Sequence, residues 1–427
     1  MSVEYVQPPL WSFGETLFDR CRRMDPAVLQ NVVRLAEGAA YLIQPSIVQG
    51  NVAAFRGALQ QAYPAARVSF SYKTNYISAL IAAARAAGAL SEVVSPTECA
   101  YARGLGVSDD EIIFNGPGKT EAVLRSVLER PITLIADSVL ELERIAALVR
   151  DGMELRARLG IRLSPKLSFQ RTPSRFGIDL DRGEDVRTLQ RLVLEDGLPI
   201  VGMHLHLTDD RSVDAFLERV DFLVSGWARL QLGRLAFIDC GGGFASAMPE
   251  EVRTQLGYQV ASLETYGTVI GRHLRDLFPD GEVEFYCEPG TGILADAGVF
   301  VTPVEDVKTV GGRSIAVVDG TMFCVNPLRS ATRPACFRVP VGAAGHKVPA
   351  PVAVYGNSCM EIDLLAGDFD APLAPGDLLV FAQKGAYASC MASPFIQGIP
   401  AVVSIDDSGS LALLRARTGA DLLAALN

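Results

Sequence analysis

The chain has 427 residues, 49% of them apolar and 21% charged, and its 39 Lys/Arg against 49 Asp/Glu leave a net charge of −10. That apolar content excludes a disordered chain and the scattered Gly and Pro exclude a collagen-like one, while an acidic balance argues against nucleic acid or an anionic membrane as partner. At about 150 residues per domain the length predicts two or three domains, or two if one is a barrel.

Residues 1–44 begin with an acid-bearing stretch that lacks the apolar core of a signal peptide. They contain a helical stretch but no core of their own, and are expected to pack on the β domain or the barrel. Between about residues 65 and 290, eight short apolar runs alternate with longer amphipathic ones: VSFSYK (68–73), EVVS (92–95), EIIFN (111–115), ITLIAD (132–137), RARLGIRL (156–163), IVGMHLHL (200–207), RLAFID (234–239) and EVEFYCE (282–288). Such alternation predicts βα units on a parallel sheet, and eight of them predict a (β/α)8 TIM-type barrel over 45–294. No internal repeat supports the count, so an open doubly wound sheet is the alternative. From 295 to 427 the runs shorten, with Gly, Pro and Asp between them, which predicts a C-terminal antiparallel β domain. A last helix is expected through TGADLLAALN with Thr418 as its N-cap. No apolar run reaches about 18 residues, so no membrane span is expected. The eight cysteines are never closer than 12 residues, which leaves no CxxC motif and points to a reducing cytoplasm.

Barrel enzymes carry their reactive groups at the C-terminal strand ends. Those ends here are Lys73, Glu92 with Ser95, Asn115, Asp137, Arg162, His206, Asp239 before Gly241-Gly242-Gly243, and Glu288. Lys73 follows an apolar-aromatic run, where desolvation disfavours the ammonium and leaves an amine able to form a Schiff base. A lysine snorkelling from a strand end reads the same way. The triple glycine lets backbone amides approach a phosphate, and its place after the seventh run suits that role, although a tight turn has the same sequence. His204 and His206 share one side of a strand; a metal pair would need further ligands, and only His273 and His346 remain, so no metal is expected. Glu288, fixed by Pro289-Gly290, can pair with a protonated ring nitrogen or simply cap a turn.

Taken with SYKTN around Lys73, EVVSPTE (92–98), IIFNGPGKT (112–120), SRFGI (174–178), GMHLH (202–206), DCGGGF (239–244), EPG (288–290), GNSCMEID (356–363), GD (376–377) and GAYASCMASPF (385–395), the chain resembles the fold-type III pyridoxal-phosphate decarboxylases that act on ornithine, diaminopimelate and arginine, from about Ala40 to Gly398. The resemblance implies pyridoxal 5'-phosphate bound to Lys73, with His206 stacked on the ring and Glu288 at its nitrogen. It implies phosphate contacts from Gly242, Gly243, Gly290 and the Tyr387 hydroxyl, with Arg162 and Glu92 lining the side of the hydroxyl and the lysine. It also implies a homodimer with shared sites, in which Cys359 of the neighbouring subunit delivers a proton after CO2 leaves and Phe395 sits beside it.

Three departures shape the expectation. Thr208-Asp209 stand where the family has Gly-Ser. Thr291 replaces an arginine that holds the phosphate, so cofactor binding weakens unless Arg171, Arg175 or another cation substitutes. Met360 replaces an acid that contacts a distal amino group, although Glu361 or Asp363 offers a substitute, and Arg333-Pro334 resembles a pair that grips a distal carboxylate. The expected activity is decarboxylation of an amino acid or amino-acid conjugate with a non-cationic distal part. The alternatives are a racemase or epimerase on the same scaffold, a cofactor-binding homologue without turnover, and a metal-dependent barrel hydrolase.

Overall fold

A computed structural model describes residues 14–341 and 347–419. The expected terminal helix and His346 lie outside them; Thr418 is inside, where its hydroxyl accepts the Ile399 amide at 2.7 Å. The chain starts with helices α1 (Leu17–Arg23) and α2 (Pro26–Ala36), then strand β1 (Ala40–Ile43) and helix α3 (Pro45–Ala62). α1 begins with a reciprocal cap between Thr16 and Asp19, and α2 with Asp25 before Pro26, both efficient ways to satisfy the free amides of a first turn.

Eight parallel strands then close a barrel: β2 (Ala66–Ser71), β3 (Leu90–Val93), β4 (Ile112–Phe114), β5 (Thr133–Ala136), β6 (Arg158–Arg162), β7 (Ile200–His204), β8 (Phe237–Asp239) and β9 (Glu284–Cys287). These are the eight runs picked out above, and the open-sheet alternative falls. Each strand is buried over nearly its whole length, as parallel strands covered by helices must be. The barrel interior is filled by Ile113, Ile135, Phe237 and Tyr286. Gly160 makes room for Phe237: a Cβ there would stand 2.8 Å from the ring. Arg158 lies 5.1 Å over the same ring and pairs with Glu284 at 2.6 Å, sealing the end of the barrel where these strands begin. The outer ring closes where α3 meets the helix Leu263–Leu277. There Gly267 and Gly271 let the backbones approach, and a Cβ on either would fall within 2.9 Å of α3 atoms.

The second sheet has nine strands, formed by β1 with β10 (Gly298–Val310), β11 (Arg313–Val318), β12 (Cys336–Val339), β13 (Val352–Tyr355), β14 (Leu364–Phe369), β15 (Leu378–Phe381), β16 (Ala401–Ile405) and β17 (Leu411–Arg415). The expected all-antiparallel pairing is corrected. β1 runs parallel to β16 and β11 parallel to β13, so the sheet is mixed and draws one central strand from the N-terminal segment. Among the described residues no helix is long and apolar enough to cross a membrane.

The two units meet along 383–390, a strap from the β domain laid over the barrel mouth. Gln383 bonds to Ser246 and to the Ala247 carbonyl, Asn75 donates to the Gly385 carbonyl at 2.9 Å, and the Tyr387 amide donates to the Thr74 carbonyl at 2.9 Å. Gln383 and Tyr387 hold φ of 62° and 55°, a left-handed conformation that costs a side-chain-bearing residue about 1–2 kcal/mol. Strain of this kind persists where neighbouring contacts fix the chain, as they do here.

Candidate active site

Lys73 leaves β2 through one 3₁₀ turn, Tyr72–Thr74, which carries it off the ladder and into the mouth. Its Nζ lies 2.6 and 2.8 Å from the two Glu92 oxygens and 4.0 Å from Glu288 Oε2. Burial acts to lower the lysine pKa, as the sequence predicts. Glu92, Glu288 and Tyr387 more than reverse that, and hold Lys73 above the ordinary lysine range. The expected route to a free amine by desolvation is therefore corrected: the proton must be passed on, and Glu92 is the group within reach. Glu92 suits that task because burial, and then the charge of Glu288, push its carboxyl upward.

Glu288, one residue past β9, is the hub. Asn115 donates to its Oε1, His204 Nε2 stands 3.5 Å away, and His206 Nδ1 3.9 Å away. Burial favours its neutral form, but His204, then Lys73 and His206, hold it below the ordinary carboxylate range. His206 accepts the Gly242 amide at Nδ1 (2.8 Å), which assigns the proton of the neutral ring to Nε2. Burial, and then Lys73, keep that ring neutral. Asp239 closes the cluster from below. Its Oδ1 accepts the Gly241 amide at 2.8 Å, while burial and Glu288 push its carboxyl upward. His204, Asp239 and Glu288 bring potential ligand atoms within 4.8 Å of one another, but a proton held on Asp239 relieves the same repulsion without a metal.

Above this cluster lies a cavity of about 220 Å³. Lys73, His206, Gly242, Gly243, Glu288, Gly290, Thr291 and Tyr387 line it, with Ser71, Thr74, Thr208, Arg211 and Leu328. The glycines are needed where the chain bends back: Gly241 and Gly243 have φ of 65° and 103°, and a Cβ at Gly242 would stand 2.5 Å from the Glu288 carbonyl oxygen. The Gly243 amide has no acceptor among the described residues. An amine for a carbonyl, a carboxylate for a ring nitrogen and a glycine cradle for a phosphate thus face one space, and the donor set fits pyridoxal phosphate.

The other predicted residues are placed elsewhere. Arg162 lies deeper, 3.6 Å from Asp137 and 4.3 Å over the Phe176 ring. Arg333 lines an adjoining cavity of about 270 Å³ that shares Arg211, Thr291, Leu328 and Tyr387 with the first. Cys359 is exposed on the turn between β13 and β14, and neither it nor Met360 nor Phe395 lines either cavity. Arg171 and Arg175 line neither. Sequence reasoning did not single out Arg211, Ser71, Thr74 or Leu328; Ser71 and Thr74 lie within the SYKTN motif, and Arg211 is the one cation close behind the Thr208-Asp209 departure.

Comparison with known proteins bears on this site. A family model of the pyridoxal-binding domain of pyridoxal-dependent decarboxylases matches residues 50–295. A diaminopimelate decarboxylase of Aquifex aeolicus is 25% identical over 384 residues, covering 86% of this chain and 87% of that protein. An L-glutamyl-acyl-carrier-protein decarboxylase of Niallia circulans is 29% identical over 430 residues, covering 93% and 95%. The crystal structure of the Helicobacter pylori diaminopimelate decarboxylase complexed with L-lysine shares the fold, with a TM-score of 0.76 at 20% identity over 93% of this chain and 98% of that one.

Proposed function

The chain belongs to the pyridoxal-dependent decarboxylases, and on that premise we propose that its substrate is an amino acid or amino-acid conjugate whose distal part carries no cation. The observation that carries this reading is the state of Asp363. Of the two acids that follow Met360, Glu361 and Asp363, Asp363 is buried, with its oxygens accepting the Met322 amide and the Ser358 amide at 3.1 Å. Asp363 thus holds its own turn, and it lines neither cavity. Glu361 is exposed on the far side of Met360 in sequence. A distal ammonium would therefore be desolvated without a fixed partner, which is costly. The glutamyl group named for the Niallia circulans relative satisfies the same condition.

Pyridoxal phosphate supplies, when bound, the electron sink for the carbanion that decarboxylation leaves. The residues then divide the work. Lys73 Nζ yields its proton to Glu92, 2.6 Å away, and becomes a nucleophile. Glu288 stays ionised and holds a proton at whatever nitrogen faces it. His206, neutral and tethered to Gly242, offers a ring face as one wall of the cavity.

The proton that replaces CO2 comes from Cys359 of a second copy in this reading. Exposed Phe395 (42%), Ile396 (54%), Met391 (41%) and Ile362 (54%) supply apolar surface for that contact. The same reading places the enzyme in the cytoplasm, since all eight cysteines are free thiols.

The test is CO2 release from purified holoenzyme on a panel of free glutamate, a glutamyl conjugate, diaminopimelate, lysine and ornithine. Non-cationic members are expected to exceed the diamines by at least about tenfold in kcat/KM. Preferred turnover of lysine, ornithine or diaminopimelate would overturn the substrate reading.

A further inference from the structure

The family's phosphate-holding arginine is Thr291 here, and a phosphate dianion held by backbone amides and the Tyr387 hydroxyl lacks a charged partner. Two guanidinium groups bear on that gap. Arg211 lines the cavity together with Gly242, Gly243, Gly290, Thr291 and Tyr387. It is half-buried, and its side chain makes no ion pair or hydrogen bond among the described residues. Its backbone is nonetheless fixed: the Tyr266 hydroxyl donates to its carbonyl, and the next residue, Ser212, caps the 18-residue helix Val213–Leu230. A free cation on a fixed backbone at the rim of a cavity is an arrangement awaiting an anion.

Arg219 supports it from behind. It is fully buried on that same helix, and Nη1 donates to the Gly242 carbonyl at 2.8 Å while Nη2 donates to the Asp210 carbonyl at 2.8 Å. No carboxylate lies within ion-pair distance of it among the described residues, and its Nε has no partner. A Cβ on Gly243 would stand 3.3 Å from Nη1, so the guanidinium lies directly behind the glycine cradle. A buried charge without a counter-ion is unfavourable unless an anion completes it.

We propose that Arg211, backed by Arg219, supplies the positive charge for the phosphate ester of the cofactor that Thr291 does not. The two arginines come from the loop after β7 and the helix that follows it, so the charge approaches the glycine cradle from the opposite flank to position 291. Arg211 binds the phosphate at the rim, and Arg219 positions the cradle by holding the Gly242 carbonyl. The inference rests on the cofactor reading and adds to it the source of the missing charge.

The experiment measures equilibrium binding of pyridoxal phosphate and of pyridoxal, which lacks the phosphate, to apo protein by absorbance and fluorescence. Arg211→Gln is expected to weaken pyridoxal phosphate about 10- to 100-fold and leave pyridoxal unchanged, the effect of losing one charge-assisted hydrogen bond. Arg211→Lys should recover part of the loss, and Arg211→Gln with Thr291→Arg should recover most of it. Unchanged cofactor affinity in Arg211→Gln with a raised substrate KM overturns the proposal and assigns Arg211 to the substrate. Equal affinity of the wild type for the two ligands also overturns it. If the wild type binds neither, the cofactor reading itself fails.

Discussion

The barrel mouth and the turn that carries Cys359 are both tied by internal hydrogen bonds, but they are finished to different degrees. At the mouth nearly every ionisable side chain has a partner within the chain: Lys73 with Glu92, Glu288 with Asn115 and His204, His206 with Gly242. The β13–β14 turn is pinned as firmly, by Asp363 to the amides of Met322 and Ser358 and by Asn357 to Gly320, yet the Cys359 thiol is exposed and has no hydrogen-bond partner among the described residues. The difference separates two tasks. Groups proposed to handle the cofactor meet within one chain, whereas Cys359, proposed to deliver the proton, stands exposed on a turn away from them.

Changes at the mouth are expected to have the largest effect. Lys73→Ala should abolish the visible absorbance of the lysine-bound cofactor and cut CO2 release by more than about 10³-fold, since among the described residues no other lysine lines that cavity. Retained absorbance would break the assignment. Cys359→Ala should slow turnover by about 10²- to 10³-fold with the holoenzyme spectrum unchanged, because a proton donor is lost while the cofactor site is intact. A spectral change instead would mean that the two regions are not separate.

Mixing these two variants sharpens the comparison. If Cys359 acts across a two-fold interface, random exchange of Lys73→Ala and Cys359→Ala subunits makes half the dimers hybrid with one intact site each, restoring about a quarter of wild-type activity. No recovery after exchange confirmed by mass would return Cys359 to its own chain.

Asp363→Ala should cost about 2–3 kcal/mol in denaturant unfolding, from two amides left without an acceptor, and should impair turnover more than cofactor binding. The smallest effect is expected at Lys384, whose buried ammonium donates to the Val325 carbonyl at 2.7 Å. Burial lowers its pKa from 10.5 to about 8. Between those two values the unfolded chain holds the additional proton, so wild-type stability rises as pH passes through that window. Lys384→Met should therefore stabilise the protein by about 1–2 kcal/mol at pH 7, read as a higher melting temperature, and its advantage should shrink towards pH 10.5. A constant advantage across the window would show that the ammonium is not the cause.

Much of this contrast could be read from the sequence, and the limits have physical reasons. Barrel strands buried on both faces read as continuous apolar runs, so all eight were visible. Their ends overshot: VSFSYK continues to Lys73 and IVGMHLHL to Leu207, but the ladders stop at Ser71 and His204. The residues beyond those points turn out of the ladder to face the cavity, which apolar patterning does not record. Strand direction in the second sheet was illegible because β1 pairs with β16 across some 360 residues of sequence. Tyr387 was identifiable only through the family resemblance, since its place depends on the strap. Arg211 lies in a loop, where neither period nor propensity signals a role, so Arg171 and Arg175 stood as the candidate cations.

The strap has one more consequence. Because Tyr387 reaches the cavity from the β domain while the glycine cradle belongs to the barrel, any ligand gripped by both is thermodynamically linked to the docking of the two units. Mass action then requires a saturating ligand to favour the docked form by RT ln(1 + [L]/Kd). Occupancy of the cavity should be legible at a distance, as slower proteolysis around residues 383–390 and slower hydrogen exchange at the Tyr387 amide.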